Sequence, residues 1–199
     1  MKNAKPDLLI TIWVAFLLSA CSSNLLITQP QLDTPQHHVK IGFKFMEMEK
    51  FDDAYREFKR ANELDPRYSP SRVGLGLIFT HRGEYEKGLS SMEKAVRHAV
   101  GKEQKVAAYT GYMRLYTFGK SQITEEWLTH VKGAFQQARE VDPESPAPYL
   151  YLGIAYKTAK EYDKALEQFV KVFEIDRGLV EDADREYTQI RRLMKTTTQ

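Results

Sequence analysis

The feature that most narrows what this chain can become is one spacing that occurs three times. Gly42, Phe45, Ala54, Phe58, Ala61 and Pro66 set a frame. Gly76, Phe79, Gly88, Met92 and Ala95 fill it again 34 residues later, and Gly153, Tyr156, Ala165 and Phe169 fill it a third time. A fixed period of this size marks a stacked repeat array, whose units bury their apolar faces only against one another. Within a unit, two apolar-periodic runs of helix length follow each other. Val39 to Glu49 is the first and Phe51 to Leu64 the second. In the second, Phe51, Ala54, Phe58 and Ala61 recur at spacings of three and four, while Asp52, Asp53, Arg56, Glu57, Lys59 and Arg60 take the wet side. Two such helices joined by a turn make an αα-hairpin.

Boundary signals run in phase with the frame. Thr34-Pro35, Ser69-Pro70 and Ser145-Pro146 each place a capping hydroxyl before a proline at the first helical position. Asp65-Pro66 and Asp142-Pro143 close the preceding helices. Small residues stand twelve apart in Gly42 and Ala54, Gly76 and Gly88, Gly153 and Ala165. That spacing predicts that they face each other where the two helices of a hairpin cross.

Four hairpins are expected, at about 35–65, 70–100, 102–141 and 146–176. The third is irregular, because Met92 and Phe135 are 43 residues apart, nine more than the repeat. Lys102 to Phe118 still reads as a helix, Gly119 to Gln122 breaks it, and Thr124 caps a second helix carrying Trp127, Leu128, Val131, Phe135 and Ala138. The register of that first helix is left open. In residues 178–199, Val180, Ala183, Tyr187, Ile190 and Met194 form a stripe on a last helix. Acidic residues in its first turn and basic ones in its last suit the helix dipole, and its expected role is to cap the stack.

Tyr149, Leu152, Gly153, Tyr156, Ala165 and Phe169 resemble the tetratricopeptide repeat (TPR), with Val172 and Arg177 as departures from its pattern. The resemblance implies an all-α fold over residues 35–177, a right-handed α–α superhelix of about four hairpins with a C-terminal capping helix. It implies a protein partner in a concave groove, lined by Val39, Phe43 and Met46, then Val73, Leu77 and Thr80, then Leu150, Ile154 and Lys157. Tyr109, Tyr112 and Tyr116 are added as lining from the third hairpin. This lining is mostly apolar and aromatic. At the places where grooves of the family carry the Lys and Asn that bind a terminal carboxylate, this chain lacks them, so an apolar extended segment or amphipathic helix of an envelope protein is the expected ligand. Two alternatives stay open. The groove could hold the chain's own Leu25-Leu26-Ile27 or last helix, or the protein could bind peptidoglycan or another glycan by stacking sugars on Tyr109, Tyr112, Tyr116 and Trp127.

Residues 1–20 are expected to be a secretory signal: Lys2 and Lys5 precede an apolar run from Leu8 to Leu18, too short for a membrane span. Leu18-Ser19-Ala20-Cys21 resembles the cleavage box of bacterial lipoproteins. That resemblance implies lipid on Cys21, a tether over residues 21–34, and, with Ser22 next, sorting to the outer membrane facing the periplasm. The single cysteine excludes an intramolecular disulfide. A net charge of +2 without a basic, aromatic-interleaved cluster gives no sign of nucleic-acid binding. No catalytic constellation, cofactor motif or metal-ligand spacing occurs. His37-His38 reads as a solvated pair, and an enzyme is not expected.

Overall fold

The computed structural model describes residues 33–197; residues 1–20, expected to be a signal, Cys21 and Leu25-Leu26-Ile27 lie outside them. Nine α-helices follow in order among the described residues, with no strand. They are α1 (Pro35–Glu47), α2 (Phe51–Leu64), α3 (Ser69–His81), α4 (Tyr85–His98), α5 (Gly101–Gly119), α6 (Trp127–Val141), α7 (Pro146–Thr158), α8 (Tyr162–Ile175) and α9 (Val180–Thr197). A 3₁₀ turn, Lys120–Gln122, follows α5. Consecutive helices pair as hairpins, and α1, α3, α5 and α7 also touch in series, as the inner row of an α–α superhelix does. The last helix packs on α8 and α7, with Ala183 and Ile190 fully buried.

The glycines of the frame also do something the spacing does not show. A Cβ on Gly42 would lie 2.7 Å from the Phe58 ring, and one on Gly153 would lie 2.5 Å from Phe169. The atoms nearest to each are therefore those of the residue sixteen on. Gly76 and Gly88 do approach each other as the spacing predicts, each Cβ position 3.2 Å from the other's carbonyl oxygen. The glycine is a seat for a ring; Ala54 and Ala165 are buried beside it. Gly74 lets the next repeat close on the same ring, its Cβ position 2.3 Å from Phe58.

Three of the four hairpin turns are one motif. In each, the residue seven after the frame glycine has a positive φ: 57° at Glu49, 74° at Gly83 and 62° at Lys160. Its N–H bonds the carbonyl three back, and the next N–H bonds the carbonyl five back, as in Lys50 N to Phe45 O (2.8 Å), Glu84 N to Phe79 O (2.8 Å) and Glu161 N to Tyr156 O (2.9 Å). This is a Schellman stop, which satisfies the last carbonyls of the helix. An aromatic residue (Phe51, Tyr85 or Tyr162) then opens the next helix.

The caps are less uniform than the sequence suggests. Thr34 does cap α1, its hydroxyl accepting from the His37 N–H at 3.2 Å. Ser69 instead lies inside α3 and donates to the Ala95 carbonyl at 2.8 Å, tying the second hairpin together, and Ser145 caps α7 without a side-chain bond. Thr124 accepts from the Glu126 N–H at 3.3 Å in a turn before α6. His38 is not a solvated residue. It is held by Glu57 (2.6 Å) and by Asp33 (2.9 Å), which in turn pairs with Arg60.

The third hairpin now has a register. Gly111 meets Met92 of the hairpin before it as Gly74 meets Phe58, which puts Met113 in the place of Gly42, Gly76 and Gly153. Lys120, seven residues on, again has a positive φ of 48°. Of the nine additional residues, three precede Met113 and six separate it from Phe135. Met113 is fully buried against Val131, Phe135, Leu152 and Ala155. Ile123 tucks back onto Gly119, and the Tyr85 hydroxyl donates to Gln122, tying the long turn to α4.

Candidate partner-binding groove

Because the inner helices lie side by side in one register, residues at the same place in each repeat line one concave face. Phe43 and Met46 of α1, Leu77 and Thr80 of α3, and Leu150 and Ile154 of α7 lie along a cleft of about 640 Å³. Val73 joins Phe43 in an adjoining cleft of about 320 Å³ toward the start of α5. Val39 is 7% exposed and belongs to the core beneath α1. Thr80 turns its hydroxyl to the Gly76 carbonyl at 2.7 Å, so it presents little polarity to the groove. Lys157 pairs with Glu186 and donates to Gln189 at 2.7 Å, binding α9 to the end of α7. As a result α9 supplies Asp182, Arg185 and Glu186 as the end wall of the groove.

The three tyrosines are not part of this lining. Tyr112 and Tyr116 stack at 6.2 Å and Tyr116 stacks on His130 at 4.7 Å, so the rings fill the seam between α4, α5 and α6. Burial, with Glu93 nearby, pushes the Tyr112 hydroxyl up to about 12. Tyr109 lies close enough to Tyr112 to affect its ionisation. Without the register of α5, its abundance of tyrosines directed attention to the wrong face.

The third hairpin in fact gives the groove Arg114 and Phe118. Arg114 follows Met113 as Phe43 follows Gly42 and Leu77 follows Gly76, and it borders three concave clefts. Its guanidinium lies over the Tyr151 ring, 5.2 Å from the centroid, and among the described residues it has no carboxylate partner. Phe118 is 55% exposed. It forms an aromatic lip with His81 (6.0 Å), which stacks on Phe51 at 3.6 Å. The sequence signal that finds both is Gly111, matched to Gly74.

Among the described residues there is no group of three or more His, Cys, Asp or Glu that could hold a metal ion. No helix among them is long and apolar enough to cross a membrane. The site has the form of a surface on which a segment can lie, with an apolar floor, one aromatic lip and charge at defined points.

Among solved structures, a thermophilic TPR protein of Thermus thermophilus superposes with a TM-score of 0.66, at 16% identity, over 80% of this chain and 82% of that one. The fold is that of a tetratricopeptide repeat protein. A chain of the APC/C hetero-tetramer Cut9–Hcn1 shows the same TPR fold, with a TM-score of 0.58 at 15% identity, covering 84% of this chain and 32% of that one. In sequence, the chain is similar to anaphase-promoting complex subunit 6 of Arabidopsis thaliana, 29% identical over 133 residues. That match covers 66% of this chain and 22% of the relative, so the chain spans about a fifth of the length of that curated relative. No protein-family profile matches the chain.

Proposed function

We propose that this TPR protein is a scaffold or adaptor, not an enzyme, and that its concave groove takes an apolar segment of a protein partner. The observation that carries the reading is the groove floor: Phe43, Met46, Leu77, Leu150 and Ile154 on one cleft, with Phe118 at its lip more than half exposed. An apolar surface of that kind, bordered by charged side chains, is how helix-in-groove and extended-segment recognition are built. The likeness to TPR chains of assemblies such as APC/C supports a role in binding protein.

The same proposal places the protein at a membrane. Leu18-Ser19-Ala20-Cys21 would be processed so that Cys21 carries lipid, and the repeat domain would face the periplasm from the outer membrane as an envelope lipoprotein. More than one acyl chain on Cys21 would hold it firmly, since a single chain binds only marginally.

Two experiments test these parts separately. A photo-crosslinking residue at Ile154 is expected to capture a defined partner that the same probe at Val170, on α8, does not; equal capture at both sites would refute the groove. Metabolic labelling with a palmitate analogue is expected to mark the wild-type chain and not Cys21→Ser; label on both, or on neither, would refute lipidation at that residue.

A further inference from the structure

The charge in the groove is not arranged for a purely apolar ligand. Lys157 has Glu186 and Arg185 has Asp182, so the basic residues at the α9 end are neutralised within the fold. In the cleft of about 640 Å³ two points are left over, and in the adjoining cleft that Arg114 also borders, Glu103 and Asp142 likewise have no basic partner among the described residues. Arg114, in the middle of the concave face, has only the Tyr151 ring. Glu47 and Glu49, where α1 ends, line the same cleft with no basic partner among the described residues. Resting on the groove reading above, we propose that the partner segment is amphipathic and dipolar. It carries an Asp or Glu that pairs with Arg114 and a Lys or Arg that pairs with Glu47 and Glu49, with apolar side chains between them on Phe43 and Leu77.

The geometry sets the spacing. From α1 through α3 to α5 is two inter-helix steps, about 16–20 Å at the usual packing distance. A helical segment rises about 1.5 Å per residue, so its opposite charges stand about eleven residues apart, three turns on one face. The same charges tell against self-occupancy. Residues 22–32 contain no ionisable side chain, so the run around Leu25-Leu26-Ile27 offers Arg114 no carboxylate. The last helix is committed to α7 and α8. The proposed occupant is a segment of another chain.

The test uses the full chain in detergent and two synthetic helical peptides, acetylated and amidated so that only side chains are charged. Both carry a Leu/Phe stripe and a lysine near one end; eleven residues on, one has glutamate and the other lysine. The full chain is expected to bind the glutamate peptide about tenfold more tightly. Arg114→Glu is expected to invert that preference, and Arg114→Gln to abolish it without reducing helical circular dichroism. Equal affinity for both peptides, or a loss in Arg114→Glu that falls alike on both, overturns the dipolar partner while leaving the groove intact. Binding of neither peptide by the folded protein overturns the groove reading itself, and this inference with it.

Discussion

The first and third hairpins make the same helix crossing in opposite ways. In the first, glycine and alanine at Gly42 and Ala54 leave room for the Phe58 ring, and a Schellman stop joins the helices through three residues. In the third, the corresponding places hold Met113 and Val131, α5 is 19 residues long against 13 for α1, and six added residues lengthen the path to Phe135. The repeat tolerates a bulkier crossing when the turn is long enough to span it, because what the stack requires is a filled seam, not a given residue. The irregular hairpin also gives the groove an arginine with no carboxylate partner among the described residues, so departure from the pattern coincides with the most distinctive chemistry of the face.

The comparison breaks most sharply by exchanging the two solutions. Met113→Gly removes a fully buried side chain from the seam with Val131 and Phe135 and adds a glycine inside a helix. The expected loss is about 3–6 kcal/mol in urea unfolding. A loss below about 1 kcal/mol would show that α5 and α6 collapse together and that the long turn is not holding them apart. The reverse exchange, Gly42→Met, drives a side chain into Phe58, a ring against which Gly74 is also packed. It should cost about 1–3 kcal/mol, measured the same way.

What the sequence made legible follows from this contrast. The frame was readable because Gly42, Phe58, Gly153 and Phe169 are steric requirements of a regular crossing, and such requirements restrict residue type. The third hairpin was not, since Met113 and Val131 meet the same requirement by volume, which many residues can supply. Phe43, Met46, Leu77, Thr80, Leu150 and Ile154, expected from the frame, share one cleft, whereas Val39 lies in the core, Lys157 is tied to α9, and Arg114 and Phe118 stand where Tyr109, Tyr112 and Tyr116 were expected. The glycine–ring contact was missed for another reason: spacing shows which residues share a face, but not which neighbour a missing Cβ admits. Likewise the serines of Ser69-Pro70 and Ser145-Pro146 look alike in sequence, yet only the first is used, and to donate to Ala95.

The first hairpin differs further in a clasp that the third lacks. Burial pulls the His38 pKa down, but hydrogen bonds with Glu57 and Asp33 outweigh it, and the net shift is upward. Asp33, bonded by Arg60 and His38, is held down at about 2. A raised histidine stabilises the fold fully below its unfolded value, near 6.5, and loses that contribution as pH rises through the higher folded value. The Asp33 contribution is present above the ordinary carboxylate value and is lost as pH falls toward about 2. His38→Gln should therefore lower stability by about 1 kcal/mol at about pH 5.5 and by much less at about pH 8.5, in thermal melts at the two pH values. An equal loss at both would mean that His38 acts by packing alone.

The smallest effect separates the two kinds of turn. Lys160 sits in the left-handed region at φ 62°, in a Schellman stop whose counterpart in the second hairpin is Gly83. Lys120 has φ 48° and ψ −134°, close to the first central position of a type II′ turn, which only glycine takes easily. Lys160→Gly should gain under about 1 kcal/mol, since relief of the side-chain clash is partly offset by the freedom glycine has when unfolded. Lys120→Gly should gain more, about 1 kcal/mol, because its backbone region is less accessible to a residue with a Cβ. If the order were reversed in urea titrations, the long turn would be the relaxed one, and the bulk of Met113 and Val131 would be accommodated without strain at Lys120.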